Sequence, residues 1–220
     1  MRGALDGLRV VDMATVIAGP GAARHLADFG ADVIKVEPPA LDSVRRMGWT
    51  PREGGDSYFW RIAGRGKRCI TLDLATAADL AVARALLREA DVMVENMRPG
   101  KLERLGLDPV ELLAANPRLV IVRVTGFGQR GPYAQRPGFA SIAEAMSGFA
   151  ALLGEEGSAP LLPPVALTDE ITALAGAFAA MVAVRHAERT GHGQIVDVNL
   201  LESMLQVLGP LPSACAHLDY

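Results

Sequence analysis

An aspartate at the head of an apolar helical run is the residue of this sequence best placed to do chemistry. Asp169 follows the segment VALT, and after Glu170 comes ITALAGAFAAMVAV, fourteen residues without a charged side chain. We expect Thr168 or Asp169 to cap this helix, where a carboxylate faces free N–H groups and the positive end of the helix dipole. Most aspartates in such positions only cap, so spacing alone leaves a purely structural role open.

The apolar character of the run favours a chemical role for Asp169. A helix that is apolar nearly all round is expected to have its first turn inside the protein or at an interface. Placing a carboxylate there costs desolvation, and an ionised aspartate in a dry pocket can attack a thioester carbonyl as a nucleophile. General acid–base chemistry would need a partner, and Glu170 points about 100° away around the helix, toward solvent.

The four histidines suggest neither hydrolytic nor metal chemistry. His25 and His186 fall in helical runs, His192 in a turn and His217 near the end of the chain. None has a serine or cysteine plus an acid at a suggestive spacing, and no HExxH or similar pattern occurs. We therefore expect no bound metal.

Two glycine-rich segments match a dinucleotide-binding loop only in part. Ile17–Ala23 precedes a predicted helix, and Glu37 lies roughly where a ribose-binding acid would, but Arg24 stands where the third glycine is needed. Gly126–Gly131 has the spacing GxGxxG, yet Pro132 follows at once and no helix opens on the loop to bind phosphate. We therefore expect no nucleotide redox cofactor and interpret the second segment as an ordered loop beside a site.

Short β-branched runs and alanine-rich runs alternate along the chain and must position these residues. Strands are predicted at Leu8–Met13, Asp32–Val36, Arg68–Leu72, Asp91–Glu95, Leu119–Thr125 and Gln194–Val198, and helices at Gly21–Phe29, Ala75–Glu89, Pro109–Ala115, around Ser141–Leu153, at Asp169–Arg185 and from Leu200. Strands that are apolar on both faces and separated by helices predict an α/β protein, a Rossmann-like three-layer fold with a mostly parallel sheet and helices on both faces. Pro38–Gly55 and Gly154–Pro164 are predicted to be excursions at the rim of this sheet.

Composition indicates a globular protein. The 220 residues are half apolar, carry a net charge of −3 and show no basic stripe, which disfavours nucleic acid as a partner. Cys69 and Cys215 form no CxxC, as is typical of a reducing cytoplasm. The N-terminus lacks the apolar run of a signal peptide, and Ile171–Val184 is too short to span about 30 Å of bilayer. We expect a cytoplasmic protein without a membrane partner.

The chain is predicted to contain one domain and the start of a connection to another. Residues 1–205 carry the alternating pattern of strands and helices and are interpreted as the Rossmann-like domain. In 206–220, Pro210 and Pro212 interrupt the helical pattern. We interpret this range as the start of a linker to a second domain.

Several blocks of the sequence, in order, resemble the N-terminal half of the family III CoA-transferases, also called the CaiB/BaiF family. The blocks are LDGLRVVDMATVIAGPGAARHLADFGADVIKVEPP, GKRCITLDL, DVMVENMRPGKLERLGL, NPRLVIVRVTGFGQRGPYAQRPGF and LTDEITALAGAFAAMVAVRHAERTGHGQIVDVNLLESML. The resemblance implies a large Rossmann-like domain, a smaller second domain and two chains interlocked as a homodimer.

The resemblance also implies a mechanism and a site. The family's nucleophilic aspartate corresponds to Asp169, which would attack a donor acyl-CoA to give a mixed anhydride, take up CoA as an aspartyl-CoA thioester and pass it to a free carboxylic acid through a second anhydride. The family's CoA contacts correspond to Ile17, Ala18, Leu72, Asp73, Leu74, Ala75, Asn96, Met97, Arg98, Arg104, Gly138, Phe139 and Ala140. Arg98 and Arg104 follow a predicted strand, where α/β sheets place ligands, and guanidinium groups suit the phosphates of CoA.

Two features depart from the family pattern. Many members have a basic residue in contact with CoA just after the second strand, where this chain has Pro38 and Pro39, and Arg45 or Arg46 is a candidate substitute. The second domain and the glycine-rich loop that covers the aspartate are absent from these 220 residues. An inactive truncated remnant is therefore one alternative interpretation.

A racemase of the same fold that acts on 2-methylacyl-CoA is the other alternative. Racemases of this type carry a histidine in a GHD-type motif after the GQxGP loop. This chain has Pro137-Gly138-Phe139-Ala140 at that place, and a phenylalanine cannot transfer a proton. The sequence therefore favours a CoA-transferase.

Overall fold

Six parallel strands form the central sheet of the protein. In the computed structural model, which describes residues 3–155 and 157–218, they are β1 (Arg9–Asp12), β2 (Asp32–Glu37), β3 (Lys67–Thr71), β4 (Val92–Glu95), β5 (Val120–Thr125) and β6 (Ile195–Asn199). The order is β3-β2-β1-β4-β5-β6, and every neighbouring pair is parallel. The predicted parallel sheet is confirmed, and its strand order changes direction between β1 and β4, where such sheets open a crevice.

Helices connect these strands. They are α1 (Ala18–Asp28), α2 (Tyr58–Ala63), α3 (Ala77–Glu89), α4 (Lys101–Arg104), α5 (Pro109–Ala115), α6 (Ala140–Met146), α7 (Phe149–Leu152), α8 (Leu167–Thr190), α9 (Leu200–Val207) and α10 (Leu211–Leu218), with a 3-10 helix at Ser43–Arg46. The helix predicted around Ser141–Leu153 is divided into α6 and α7 at Gly148, whose φ of 87° ends the first of them. The short helices α2 and α4 were not predicted.

Both faces of the sheet are covered, as predicted. On one face Val10, Val94 and Val122 pack with alanines of α1 and α8. On the other face Met93 and Ile121 pack with leucines of α3, α4 and α5. The alternation of side chains along each buried strand thus supplies two separate apolar cores.

The long helix α8 lies against α1 through small residues. A Cβ added at Gly21 of α1 would lie 2.7 Å from Ala173 Cβ, and one at Gly176 would lie 3.3 Å from Ala22 Cβ. The opposite face of α8 is apolar and exposed at Leu174, Phe178 and Val182. With 24 residues the helix is longer than the run from which it was predicted, and it is long and apolar enough to cross a membrane, although a buried core helix has the same composition.

The range predicted to begin a linker is largely helical where the structure describes it. Gly209, with a φ of 59°, and Pro210 separate α9 from α10. None of the α10 residues is buried. The division into a domain at 1–205 and a linker at 206–220 stays a prediction.

A network of buried charges lies beneath the carboxyl end of β1. Lys67 Nζ donates to Asp12 Oδ2 at 2.8 Å and to Pro20 O at 2.7 Å. Lys35 Nζ donates to the carbonyl of Ala14 and lies 3.3 Å from Asp42 Oδ2. Burial would raise the pKa of Asp12, but the ammonium groups of Lys35 and Lys67 outweigh it and lower that pKa. The network therefore holds the Asp12 carboxylate charged inside the protein.

Candidate active site

A cavity of about 510 Å³ opens at the carboxyl ends of β1, β4 and β5. Its walls come from the loops after β1 and β4, from the segment that leads into α6, from residues 162–165 and from the first turn of α8. This is the crevice expected where the strand order changes direction. Its volume lies within the range of small-molecule binding sites.

Most of the predicted site residues line this cavity. They are Ile17, Ala18, Asn96, Met97, Arg98, Gly138, Phe139, Ala140 and Asp169. Leu72, Asp73, Leu74 and Ala75 lie elsewhere, at the carboxyl end of edge strand β3, where Leu72 belongs to the apolar core. Arg104 lies exposed at the end of α4, outside the cavity lining.

Asp169 is the third residue of α8 and does not cap it. The helix begins at Leu167, and the residue before it, Ala166, has no side-chain group to cap the helix. In the part of the chain that the structure describes, no hydrogen-bond donor contacts the Asp169 carboxylate. The capping prediction is therefore wrong for Thr168 and Asp169, because the helix begins at Leu167, two residues earlier than a Thr168 cap requires.

The surroundings of Asp169 disfavour its charge. Burial raises its pKa to about 6, and the negative charges of Glu144 and Glu170 add to that effect. The expectation that backbone N–H groups would stabilise the ionised form is thus wrong. With a pKa of about 6, roughly nine-tenths of the carboxyl groups are still ionised at pH 7, and the carboxylate is more basic than an exposed aspartate.

Glu144 is the feature of this site that sequence reasoning missed. It lies on α6, is only 3% exposed and lines the same cavity as Asp169. Thr168 Oγ1 donates to Glu144 Oε1 at 2.7 Å, which ties α6 to the first turn of α8. The one signal in the sequence is a lone acid in the otherwise uncharged segment SIAEAMSGFAALL.

The second acid of α8, Glu170, is paired with α1. Arg24 Nη2 donates to Glu170 Oε2 at 3.0 Å, and the Arg24 side chain is 10% exposed. Arg24 also contacts His25 Nε2 at 2.9 Å, and burial, together with the Arg24 charge, lowers the pKa of His25. Glu170 faces solvent in part, as expected, with its side chain 45% exposed, and its charge is balanced by Arg24.

The loop after β1 has a strained backbone that buried side chains hold in place. Val16 has a φ of 69°, which is rare for a β-branched residue. Its N–H donates to both Asp42 carboxylate oxygens at 3.3 Å. Next to it, Thr15 N donates to Asn96 Oδ1 at 2.8 Å, and Asn96 Nδ2 donates to Thr15 O at 2.7 Å. The Asn96 amide therefore joins the β1 loop to the β4 loop.

Glu37 and Arg45 bind each other. Arg45 donates to the two Glu37 oxygens at 2.8 and 2.6 Å and to Asp56 at 2.7 Å, and its guanidinium lies 3.7 Å from the ring centre of Trp60. Glu37 is therefore not free to bind a ribose. Arg45 is not free to replace the missing basic CoA contact, which leaves the exposed Arg46 as the candidate.

The GxGxxG segment forms a loop without a helix at its end, as predicted. Gly128 N donates to Thr125 Oγ1 at 2.8 Å, and Gln129 N donates to Asp197 Oδ2 at 2.7 Å. The next helix, α6, begins only at Ala140. Across 3–155 and 157–218, no group of three or more His, Cys, Asp or Glu side chains is arranged to hold a metal ion.

Alanine at Gly126 is expected to destabilise the protein by about 1–3 kcal/mol. The added Cβ would lie 2.6 Å from Gly138 Cα, so the backbone beneath the cavity would have to move. Chemical denaturation measures the loss, with the exposed change Ser141→Ala as the control, which we expect to alter stability by no more than about 0.5 kcal/mol. Equal stability of the two variants would contradict the close backbone contact.

Comparisons with known proteins identify the family to which the chain belongs. The family model described as CoA-transferase family III matches residues 5–217. The chain is 47% identical over 204 residues to the succinyl-CoA–L-malate CoA-transferase beta subunit of Chloroflexus aurantiacus, covering 92% of this chain and 50% of that protein. It is 41% identical over 210 residues to the succinate–glutarate CoA-transferase of Agrobacterium fabrum, covering 93% of this chain and 52% of that protein.

A solved structure shows the same fold. The crystal structure of a CaiB/BaiF family protein from Brucella suis superposes with a TM-score of 0.93 at 38% identity, covering 99% of this chain and 58% of that one. The chain spans about half the length of the curated relatives it matches. The family match extends over nearly all of the sequence, and the chain therefore belongs to CoA-transferase family III.

Proposed function

We propose that the protein containing this chain transfers CoA from an acyl-CoA thioester to a free carboxylic acid, with Asp169 as the nucleophile. The observation that carries the proposal is the Asp169 carboxylate, which lines the cavity without a hydrogen-bond donor and has a raised pKa. A carboxylate without donors keeps its lone pairs available for attack. The named relatives, which are CoA-transferases, support this assignment.

In the first half of the reaction, an Asp169 oxygen attacks the thioester carbon and the C–S bond breaks. The electron pair leaves on sulfur as CoA thiolate, and a mixed anhydride remains on Asp169. The thiolate then attacks the aspartyl carbonyl, which releases the donor acid and forms an aspartyl-CoA thioester.

In the second half of the reaction, an acceptor carboxylate attacks this thioester, which releases CoA thiolate and gives a second anhydride. The thiolate then attacks the acceptor acyl carbon, which forms the new acyl-CoA and frees Asp169. The partly buried cavity protects each anhydride from water.

The acyl and acid substrates are proposed to be short dicarboxylic acids. Arg98 and Arg136 both line the cavity, and a guanidinium group pairs well with a second, unreacting carboxylate. The Arg136 guanidinium lies 4.4 Å from the ring centre of Tyr133. The relatives are named for succinyl-CoA, malate and glutarate, which supports the same substrate class.

Phe139 disfavours the alternative of racemase chemistry. It lies at the edge of the cavity and is 66% exposed, in the place where the related racemases carry a histidine. An epimerisation by two bases needs a second proton carrier there. A hydrocarbon ring cannot supply one.

Trapping of the covalent intermediate tests the proposed function. The intact protein is incubated with succinyl-CoA and then with hydroxylamine, which converts an aspartyl anhydride or thioester to a hydroxamate. Peptide mass mapping is expected to find the modification on Asp169. A label on Glu144 or Glu170 would identify a different nucleophile, and the absence of any label with succinyl-CoA and with a panel of other acyl-CoAs would contradict the proposed activity.

Alanine at Arg104 is expected to raise the KM for acyl-CoA roughly tenfold or more. We propose that this exposed guanidinium, at the end of the helix that follows β4, holds a CoA phosphate, and a charge-assisted contact contributes about 1.5–3 kcal/mol. Steady-state kinetics of the intact protein measure the change. Arg118→Ala is the matched control, because Arg118 is exposed just before β5, at the amino ends of the parallel strands and thus on the opposite side of the sheet from the cavity. Equal KM values for both variants would exclude Arg104 from the CoA site.

The intact protein is also proposed to be a homodimer. The apolar stripe of Leu174, Phe178 and Val182 on α8 is exposed, and a stripe of this kind is typical of a surface that another part of the assembly covers. Sedimentation analysis of the intact protein tests the proposed dimer.

A further inference from the structure

Glu144 is a buried carboxylate without a cation beside it. The residue is 3% exposed and lines the cavity together with Asp169. Its Oε1 accepts the Thr168 hydroxyl at 2.7 Å, and Thr168 is itself buried and directly precedes Asp169. No ion pair to Glu144 occurs among the described residues. Burying a carboxylate without a cation destabilises the folded protein, which disfavours a purely structural role for Glu144.

Among the charged groups around Asp169, Glu144 is the one whose repulsion of the Asp169 carboxylate no neighbouring cation balances. The titratable and charged groups that face this region are Glu170 on the same helix, Glu144 on α6, Arg24 and His25 on α1, Arg98 after β4 and Arg136 before α6. Arg24 is bound to Glu170, and Arg98 and Arg136 are exposed to solvent. The negative charge of Glu144 therefore acts on Asp169 with little screening.

We propose that Glu144 is a positioning residue that promotes acylation of Asp169, by repelling the charge of the free carboxylate and by fixing the first turn of α8 through Thr168. This inference rests on the proposed function. When Asp169 is acylated, a C–O bond forms to the acyl carbon, the C–S bond breaks and the negative charge leaves with the CoA thiolate. Acylation thereby removes the repulsion from Glu144. The covalent states are therefore stabilised relative to the free enzyme.

Two substitutions separate the charge of Glu144 from its hydrogen bond. Glu144→Gln keeps the size of the side chain and an oxygen that accepts the Thr168 hydroxyl, but it removes the charge. Thr168→Val removes the hydrogen bond and leaves the charge in the cavity. Glu144→Asp keeps the charge on a shorter side chain. Circular dichroism and thermal melting establish that each variant is folded.

The readout is the pH dependence of adduct formation with succinyl-CoA in the intact protein. Only ionised Asp169 attacks, so the rate rises with pH through the Asp169 pKa, which burial and the charges of Glu144 and Glu170 raise to about 6. Glu144→Gln removes one of the raising charges and moves the acid limb of the profile to lower pH. At pH 5 the rate relative to its plateau is expected to increase roughly threefold, while the plateau falls about twofold because a less basic carboxylate is a weaker nucleophile.

The remaining variants decide between charge and structure. Glu144→Asp is expected to keep the acid limb near its original pH. Thr168→Val is expected to move the limb in the same direction as Glu144→Gln but by less, because the Glu144 charge stays in the cavity and is no longer held against the first turn of α8. If Glu144→Gln and Thr168→Val both fold and neither moves the acid limb, the inference is overturned. If only Thr168→Val folds, an unchanged acid limb in that variant overturns it. The proposed function fails separately, when the unsubstituted protein forms no adduct on Asp169.

Discussion

Asparagine at position 169 is expected to lower CoA transfer by at least about a thousandfold in the intact protein, while CoA still binds. The amide is nearly isosteric with the carboxylate but is a feeble nucleophile, so the anhydride cannot form. Single-turnover kinetics with succinyl-CoA measure the loss, and alanine at the same position is expected to behave alike. Activity within tenfold of the unsubstituted protein would show that another group carries the acyl chain.

Stability and a neighbouring variant are the controls for this result. The folded-state pKa of Asp169 lies near 6, above its ordinary value, so its contribution to stability is greatest at acid pH and is lost as the pH rises through that value. Asp169→Asn is thus expected to be at least as stable as the unsubstituted protein at pH 8, and lost activity will not reflect unfolding. Glu170→Gln changes the adjacent acid, which forms an ion pair with Arg24. This variant is expected to lower the rate of CoA transfer by less than roughly tenfold.

Methionine at position 35 is expected to lower the free energy of unfolding by about 3–5 kcal/mol. Lys35 is fully buried, and its Nζ lies 3.3 Å from Asp42 Oδ2 and 3.8 Å from Asp12 Oδ1. Methionine has a similar volume, so the loss measures the missing charge, which leaves Asp42 buried without its cation. Urea denaturation of both proteins gives the difference.

An exposed ion pair on the neighbouring strands provides the matched control. Arg68 on β3 pairs with Asp32 on β2 at 2.7 Å, with side chains 67% and 51% exposed. Arg68→Ala is expected to cost less than about 1 kcal/mol, because solvent screens such pairs. Similar losses for Lys35→Met and Arg68→Ala would mean that the buried network contributes no more than a surface pair.

The sheet was predictable from sequence because its strands are short β-branched runs that are apolar on both faces. Runs such as Leu119–Thr125 differ from the observed strands by one or two residues. The short helices α2 and α4 escaped prediction because four to six residues carry too little periodic pattern. The first turn of α8 was misjudged, since Ala166 precedes the helix without any side-chain capping signal.

The site was predictable only where one residue carries a signal by itself. Asp169 stood out because a long uncharged run follows it. Glu144 did not, because its role depends on the packing of α6 against α8, which brings together residues 24 positions apart. The pairing of Arg24 with Glu170 and of Asn96 with Thr15 depends on tertiary contacts in the same way. Local sequence patterns contain no information about such contacts.

The two hydrogen bonds of the Asn96 amide have a mechanical consequence. They fasten the loops on the two sides of the crevice to each other, and the Asp42 carboxylate anchors the β1 loop from below. We therefore expect these loops to move together when a ligand enters. We expect any opening or closing of the cavity to come from its other walls, the segment before α6 and residues 162–165.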